Sequence, residues 1–562
     1  MSKMTELEEN LFDLSWNYKN RDKLIENLKT TEYDLIVIGG GITGAGVARE
    51  AAMRDLKVAL VEMQDFGAGT SSRSSKLAHG GIRYLANAEF GLVREATTER
   101  NWLLHHLPHI IRPIPFLFID WENTGESKFQ IKLATTIYDM LSDWFSKFKN
   151  YKKHKWYSPE KVFEFEPEIK KEGNKGGAIY WDNNMDDGRI VIEALKEAIV
   201  RGADVINYCE VIEHLKESGK VKGIVCKDQE TSDEFQIKGK VVVNATGIWT
   251  DDILETYPDD IPKPVMRPTK GVHLIYERDK VKNNMATIIR SITDDRAFFV
   301  LPRGDYTIIG TTDTDYQGDL ANPFCTKEDA DYLIKSVKHY FPTAELDFEN
   351  LISTYAGIRP LVMQKGKSES EVSRKHEIFW SPDGLLTITG GKYTTFRKMA
   401  EDLMKAVEEE DIFPNLKIKK NFSKKKFLVS LEKDQWNKEV KASGIQLDEE
   451  ISNHIYQQYG RGALKILELI KQDKSLKSRI DPDNNFTKAE IIYTLRYELT
   501  LHLIDVFRVR TEMSLFISHE KAKKAAEKVA NIMAEEYGWT EDQKNKEVDT
   551  YLEYVKKTVS FV

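Results

Sequence analysis

A short apolar run, Asp34-Leu-Ile-Val-Ile38, leads directly into Gly39-Gly-Gly-Ile-Thr-Gly44, and few folds accommodate that junction. The run reads as a buried strand. Glycines at 39, 41 and 44 are spaced for a tight turn, for close approach of a pyrophosphate and for close helix–strand contact. A helix starting there turns its open N–H groups toward an anion. Helical spacing continues through Glu50, Ala51 and Met53. A second strand, Lys57-Val-Ala-Leu-Val-Glu62, then closes a β-α-β unit of about the usual 30 residues. Glu62 ends that strand, where a carboxylate accepts hydrogen bonds from ribose hydroxyls. Gly39, Gly41, Gly44 and Glu62 are therefore expected to bind a dinucleotide; the motif alone does not separate FAD from NAD.

Two later segments favour FAD. Val243-Asn-Ala-Thr-Gly-Ile-Trp249 ends a strand, turns on Gly247 and starts a helix, as a loop closing over the dinucleotide does; Ala245, Thr246 and Gly247 are its candidate contacts. Thr389-Gly-Gly-Lys-Tyr-Thr-Thr-Phe-Arg397 places a glycine pair between a strand and a helix N-terminus. Backbone N–H groups there can face the flavin edge that becomes anionic on reduction. Gly391, Lys392, Tyr393 and Thr394 are the candidates, and Lys392 can serve substrate as well.

The rest of the chain bounds the class. A length of 562 residues implies three or four compact units. A net charge of -8 disfavours a general nucleic-acid binder, because neutralising phosphates needs a positive surface. Cys209, Cys226 and Cys325 are far apart with no CxxC spacing, so neither a disulfide framework nor a zinc site is expected, no metal is assigned, and a reducing cytoplasmic compartment fits. No signal peptide is read at Met1–Asn10, and no window is long and apolar enough to span a bilayer.

Residues 1–31 read as an N-terminal helical extension. Strand signals at Ala203–Glu210, Val211–Glu217 and Val221–Lys227 suggest a meander; Ala297–Pro302 and Tyr306–Gly310 flank a hairpin turn. After the Lys-rich stretch 417–426 the periodicity becomes helical. The expected fold is α/β: a Rossmann-like FAD-binding domain (32–105, 190–260 and 350–412), an antiparallel-sheet substrate domain (106–189 and 261–349) and an all-helical C-terminal domain (425–562).

The most specific stretch is Gly69-Thr-Ser-Ser-Arg-Ser-Ser-Lys-Leu-Ala-His-Gly-Gly-Ile-Arg-Tyr84. From Thr70 to Leu85 it resembles, without departure at the fixed positions, the TSSxSSKLxHGGxRYL pattern of FAD-dependent sn-glycerol-3-phosphate dehydrogenases, in the D-amino-acid-oxidase-like flavoprotein superfamily. Met185-Asp-Asp-Gly-Arg-Ile-Val191, Lys270-Gly-Val-His273, Ile309-Gly-Thr-Thr-Asp313 and Thr354-Tyr-Ala-Gly-Ile-Arg-Pro-Leu361 extend the resemblance over about residues 32–410.

The resemblance implies hydride transfer from C2 of glycerol 3-phosphate to flavin N5, giving dihydroxyacetone phosphate. It adds Thr70, Ser71, Ser72, Ser75, Lys76, Leu77, His79 and Gly80 to the FAD contacts, and it places Arg83, Tyr84, His273, Arg359 and Lys392 around substrate. A phosphate dianion suits guanidinium and ammonium donors. His273 is preferred over His79 as general base, with Arg359 as its catalytic partner; either histidine has a side chain suited to proton transfer near neutrality.

Quinone is the expected electron acceptor. The alternative is a peroxide-forming oxidase, in which the resemblance leads one to expect an added segment between Asp313 and Ser353; here a helix pair is expected to fill that interval. An amino-acid oxidase and a non-catalytic FAD scaffold are further readings. Quinone use implies a peripheral position on the inner face of the cell membrane. Ile137, Met140, Leu141, Trp144, Phe145 and Phe148 beside Lys147, Lys149, Lys152, Lys153 and Lys155 are the candidate contact with anionic lipid. The helical tail is expected to cap the site, to mediate homodimerisation, or both.

Overall fold

The computed structural model describes residues 7, 10, 11, 14–122, 126–144, 146–254, 266–362, 375–413 and 424–562. Of the sequence features above, most of Met1–Asn10, Phe145 and most of the Lys-rich stretch 417–426 lie outside the described residues.

The first sheet has a parallel core. Strand Glu32–Ile38 lies between Val58–Val61 and Glu234–Asn244, with Leu35 opposite both Val58 and Val241. Asp204–Ile206 extends it on one side, and Leu385–Gly390 with antiparallel His376–Trp380 on the other. Leu35, Ile36 and Val37 are fully buried, as a strand covered on both faces requires. One face packs against helices Ile42–Met53, Asp187–Val200 and Phe396–Glu409. A Cβ on Gly46 would come within 2.8 Å of the Phe396 ring, so glycine sets the distance between two of them. The expected meander is only partly one: Cys209–Glu217 and Lys220–Asp228 form a hairpin that pairs onto Glu234–Asn244, whereas Asp204–Ile206 belongs to the parallel core. Helix Arg21–Thr30 of the N-terminal extension lies against this side; Arg21 pairs with Asp228 at 2.7 Å.

The second sheet is mainly antiparallel. Met266–Glu277 pairs along its length with Leu351–Val362 and also with Tyr306–Gly310, which continues through Ala297–Arg303 and Ala286–Arg290 to Arg112–Trp121 and Asn174–Asn184. Residues 351–362 therefore lie in this sheet, so the boundary expected at residue 350 moves beyond Val362. The two-residue strand Leu77–Ala78 also joins it, which carries the loop after the first β-α-β unit across to the second sheet.

Between Asp313 and Ser353 there is one helix, Lys327–Tyr340, rather than the expected pair. Thr326 and Asp329 form a reciprocal capping box at its start. Ahead of it, Gly318 and Pro323 interrupt any helical run. From Lys433 onward the elements are helical, with a hydrophobic core around Val506, Phe507, Val529 and Tyr551.

Candidate active site

The two sheets face each other across one cavity of about 1420 Å³. That exceeds the range of roughly 300–1,000 Å³ usual for small-molecule pockets, and leaves space for a dinucleotide together with a small substrate.

The glycine loop after strand Glu32–Ile38 forms its floor. Gly39 has φ 107°, and a Cβ there would stand 2.7 Å from the Ala245 carbonyl. At Gly44 a Cβ would lie 1.9 Å from the Gly39 carbonyl, so no side chain is possible without moving the turn. Gly39 and Gly41 line the cavity, while Gly44 supports the turn from behind. Glu62 also lines it; its Oε2 accepts from Gly40 N at 2.6 Å and its Oε1 from Gln64 N at 2.9 Å. Burial pushes the Glu62 carboxyl up to about 7 against those two hydrogen bonds. Ala245, Thr246 and Gly247 close the same end.

The loop from Thr70 to Tyr84 crosses the middle. Thr70, Ser71, Ser75, Leu77 and His79 line the cavity. Thr70 Oγ1 donates to the Ile358 carbonyl at 2.6 Å, and Ser71 Oγ accepts from Ile42 N at 2.9 Å. Ser72, Lys76 and Gly80, read from the sequence as FAD contacts, are not among the lining residues. Lys76 is buried between Asp187 at 2.5 Å and Glu512 at 2.6 Å, and donates to the Ser72 carbonyl at 2.7 Å. Gly80 N donates to Tyr138 Oη at 2.8 Å, and a Cβ there would collide with Tyr138 and Thr97.

On the facing side, Arg83, Tyr84, His273, Arg359 and Lys392 share the cavity with Gly391, Tyr393 and Thr394. Lys392 Nζ stands 3.7 Å from the centre of the Tyr84 ring. Arg83 Nη1 donates to the Ala297 carbonyl at 3.2 Å. His273 stacks on Tyr355 with 4.5 Å between centroids, and its Nε2 lies 2.9 Å from Ser75 Oγ. Burial first, then the Arg359 and Lys76 charges, hold this imidazole well below its ordinary pKa. It is a neutral group at pH 7. Arg359 Nη1 donates to Asp313 Oδ1 at 2.6 Å, and its Nη2 to the Thr312 carbonyl at 3.0 Å.

Several participants were not visible in the sequence. Asp313 lies within a motif, but nothing in the sequence says that it pairs with Arg359. Glu512, from the helical domain, binds both Lys76 and Arg303 (2.6 Å). With Asp186 and Asp187 it forms a three-carboxylate cluster, already countered by those two cations. The helix Lys128–Trp144 supplies an apolar wall through Ile131, Leu133, Ala134 and Ile137. No sequence signal linked that helix to the cavity.

Fit to FAD is testable on the glycine loop. The close-packed glycines and half-buried Glu62 leave backbone and carboxylate facing the cavity at one end, as a pyrophosphate and ribose require. The glycine pair 390–391, at φ 73° and 80°, precedes the turn at Tyr393 at the other. The residues present fit the group.

Comparison with known proteins agrees. Residues 34–397 match the family described as FAD dependent oxidoreductase, and residues 386–544 match the C-terminal domain of alpha-glycerophosphate oxidase. The chain is 35% identical over 553 residues to the aerobic glycerol-3-phosphate dehydrogenase of Staphylococcus haemolyticus, covering 95% of this chain and 97% of the relative. It is 36% identical over 544 residues to that of Bacillus subtilis, covering 94% and 96%. The solved structure of glycerol-3-phosphate dehydrogenase from Bacillus halodurans, complexed with FAD, has TM-score 0.79 at 30% identity over 97% of this chain and 98% of its own. The FAD-bound L-alpha-glycerophosphate oxidase of Mycoplasma pneumoniae shares the fold, with TM-score 0.53 at 18% identity over 67% and 95%.

Proposed function

The chain belongs to the FAD dependent oxidoreductase family, and on that premise we propose that it oxidises sn-glycerol 3-phosphate to dihydroxyacetone phosphate and passes the electrons to a membrane quinone. The observation that carries this reading is the meeting of His273, Arg359, Arg83 and Lys392 in one cavity with the dinucleotide loops.

FAD held by the glycine loops and the Thr70–Tyr84 loop would supply a two-electron acceptor for the C2 hydride. The protein's own part is binding and proton handling. Arg359, Arg83 and Lys392 present positive charge to the phosphate and to the C2 oxygen. Neutral His273 is placed to accept the C2 hydroxyl proton at Nε2, directly or through the Ser75 hydroxyl.

The acceptor reading is supported by helix Lys128–Trp144. No helix among the described residues is long and apolar enough to cross a membrane. On this helix Phe129 is 74% exposed and Trp144 73%, with Leu133 and Met140 also exposed along one face. Such a stripe, followed by Lys147, Lys149, Lys152 and Lys153, suits the interface of an anionic bilayer. Ile137, grouped with the aromatic face in the sequence, instead lines the cavity, and Phe148 stacks on His105. Leu133 and Ile137 both line the cavity, so the exposed stripe adjoins the site, which gives a lipophilic acceptor a short route to it. A second reading, oxygen as acceptor, draws on the match to the alpha-glycerophosphate oxidase C-terminal domain.

Anaerobic titration with glycerol 3-phosphate, followed by flavin absorbance, tests the substrate: bleaching is expected, and none in FAD-loaded protein would refute it. Rapid recovery with a soluble quinone and slow recovery in air is expected; rapid recovery in air with peroxide would favour the oxidase.

A further inference from the structure

Gly80 and Gly81 make a freely jointed pair in the loop that crosses the cavity, and side chains that line it stand on both sides: His79 before, Arg83 and Tyr84 after. Gly81 uses that freedom. Its φ is 73°, and a Cβ there would stand 2.5 Å from the Tyr84 ring and 3.2 Å from Lys392 Nζ. Gly80 is needed for space, because a Cβ there would stand 2.3 Å from Thr97 Cγ2 and 2.4 Å from Tyr138 Oη. Its N–H is held by two side chains, Tyr138 Oη at 2.8 Å and Asp182 Oδ1 at 3.2 Å.

Tyr138 comes from helix Lys128–Trp144, Asp182 from strand Asn174–Asn184 and their partner Arg100 from helix Phe90–His106; all three are buried, and Tyr138 does not line the cavity. The Tyr138 hydroxyl gives its one proton to Asp182 at 2.7 Å and accepts from Gly80 N and from Arg100 Nη1 at 3.2 Å, so its bonding capacity is filled. Arg100 pairs with Asp182 at 2.5 Å, and its Nη2 donates to Ser142 Oγ at 2.8 Å. Burying an ion pair costs desolvation, and apolar side chains would hold the same three elements together as well or better. Apolar packing cannot aim a peptide. The bond between His79 and Gly80 is planar and trans, so directing Gly80 N–H at Tyr138 and Asp182 turns the His79 carbonyl the opposite way and fixes the entry to the turn at Gly81. We infer that Tyr138 is a positioning residue for substrate oxidation: with Asp182 it locks the glycine pair, and through it sets where Arg83 and Tyr84 stand in the cavity. This rests on the glycerol 3-phosphate reading above and extends it to a buried side chain outside the cavity wall.

The test uses full-length, FAD-loaded protein and the variants Tyr138→Phe and Ser142→Ala. Tyr138→Phe removes the hydroxyl beneath Gly80, whereas Ser142→Ala takes a hydrogen bond from the far side of Arg100 and leaves Gly80 untouched. Both weaken one buried network, so a loss of stability is common to them. Only Tyr138→Phe should raise the glycerol 3-phosphate concentration giving half-maximal flavin reduction, by roughly 5- to 30-fold, with a smaller fall in the limiting rate. Half-saturation in Tyr138→Phe equal to that in Ser142→Ala would overturn the assignment. If wild-type flavin is not reduced by glycerol 3-phosphate at all, it is the proposed function that fails, and amide hydrogen exchange across residues 79–84 then decides the lock. Faster exchange in Tyr138→Phe than in wild type and Ser142→Ala supports it; equal exchange in all three removes it. Should Tyr138→Phe not fold, wild-type exchange decides alone: protection of the Gly80 amide equal to that of strand Met266–Glu277 supports the lock, and exchange at the rate of an open loop removes it.

Discussion

Ser75 Oγ lies 2.9 Å from His273 Nε2, and this contact joins the loop that follows the first β-α-β unit to strand Met266–Glu277 of the second sheet. It fixes the imidazole from the cavity side, while the Tyr355 ring fixes it from the other. Because burial and the Arg359 and Lys76 charges lower the His273 pKa, the ring stays unprotonated well into acid. A base of this kind is lost only when pH falls below its lowered pKa. The acid limb of kcat/KM for glycerol 3-phosphate is therefore expected below the ordinary imidazole value of about 6.5. His273→Asn should reduce flavin reduction by about 10²- to 10⁴-fold and abolish that limb. An unchanged limb in the variant would dismiss His273 as the base.

Arg359→Ala removes a charged fork and leaves Asp313 with Arg296 alone. Turnover of glycerol 3-phosphate should fall by about 10²- to 10³-fold, with FAD content near that of wild type. Rapid-mixing reduction and flavin quantitation on the same sample check both halves. Near-normal kcat/KM would remove Arg359 from the site.

Gly44→Ala places a methyl 1.9 Å from the Gly39 carbonyl, in backbone that cannot step aside without disturbing the turn. Overpacking of this kind costs about 1–3 kcal/mol or more. Purified Gly44→Ala should contain little FAD and show a lower Tm. Full flavin content would mean the turn is looser than its packing indicates.

His502 sits between Glu230, in the turn that joins Lys220–Asp228 to Glu234–Asn244 (3.1 Å), and Glu547 of the last helix (2.9 Å). Hydrogen bonds to these carboxylates outweigh desolvation and push the imidazole from 6.5 up to about 11. The charged form is the one the folded state favours, so the stabilisation is complete below about 6.5 and is lost as pH rises toward 11. Thermal melts should show the advantage of wild type over His502→Gln greatest near pH 6 and shrinking toward pH 10. A constant difference across that range would argue against the clamp.

The exposed stripe and lysine turn predict binding to anionic vesicles. Reversing Lys147, Lys149, Lys152 and Lys153 to glutamate should weaken co-sedimentation with phosphatidylserine-rich vesicles by at least about 10²-fold, at roughly 1 kcal/mol per lysine. Activity with a soluble quinone should be retained. Unaltered sedimentation would discard the surface.

The dinucleotide half was legible in the sequence because backbone geometry dictates residue type there: at Gly39 and Gly44 nothing larger than hydrogen fits. The substrate half could be placed only through the resemblance of its motifs, since no local periodicity tells that Arg359 and His273 face one cavity. Partnerships across long separations were silent, as with Arg296 and Asp313, or Lys76 and Glu512. Residues 350–412 were expected in the FAD-binding domain for a related reason: nothing local in 351–362 tells that this segment pairs with Met266–Glu277. The stripe on Lys128–Trp144 was half read: spacing revealed a helical face at Met140 and Trp144, but not that Phe129 and Leu133 continue it.

The ion pairs from Asp65 to Arg510, from Lys76 to Glu512 and from Arg189 to Glu498 all fasten the front of the chain to a segment close to its end. During synthesis the loop that crosses the cavity therefore emerges long before the groups that fix it. Until residues near 512 have left the ribosome, Lys76 lacks one of its two carboxylates and Arg510 is not there to meet Asp65. The loop that crosses the cofactor cavity is thus held in place by groups made more than 400 residues after it.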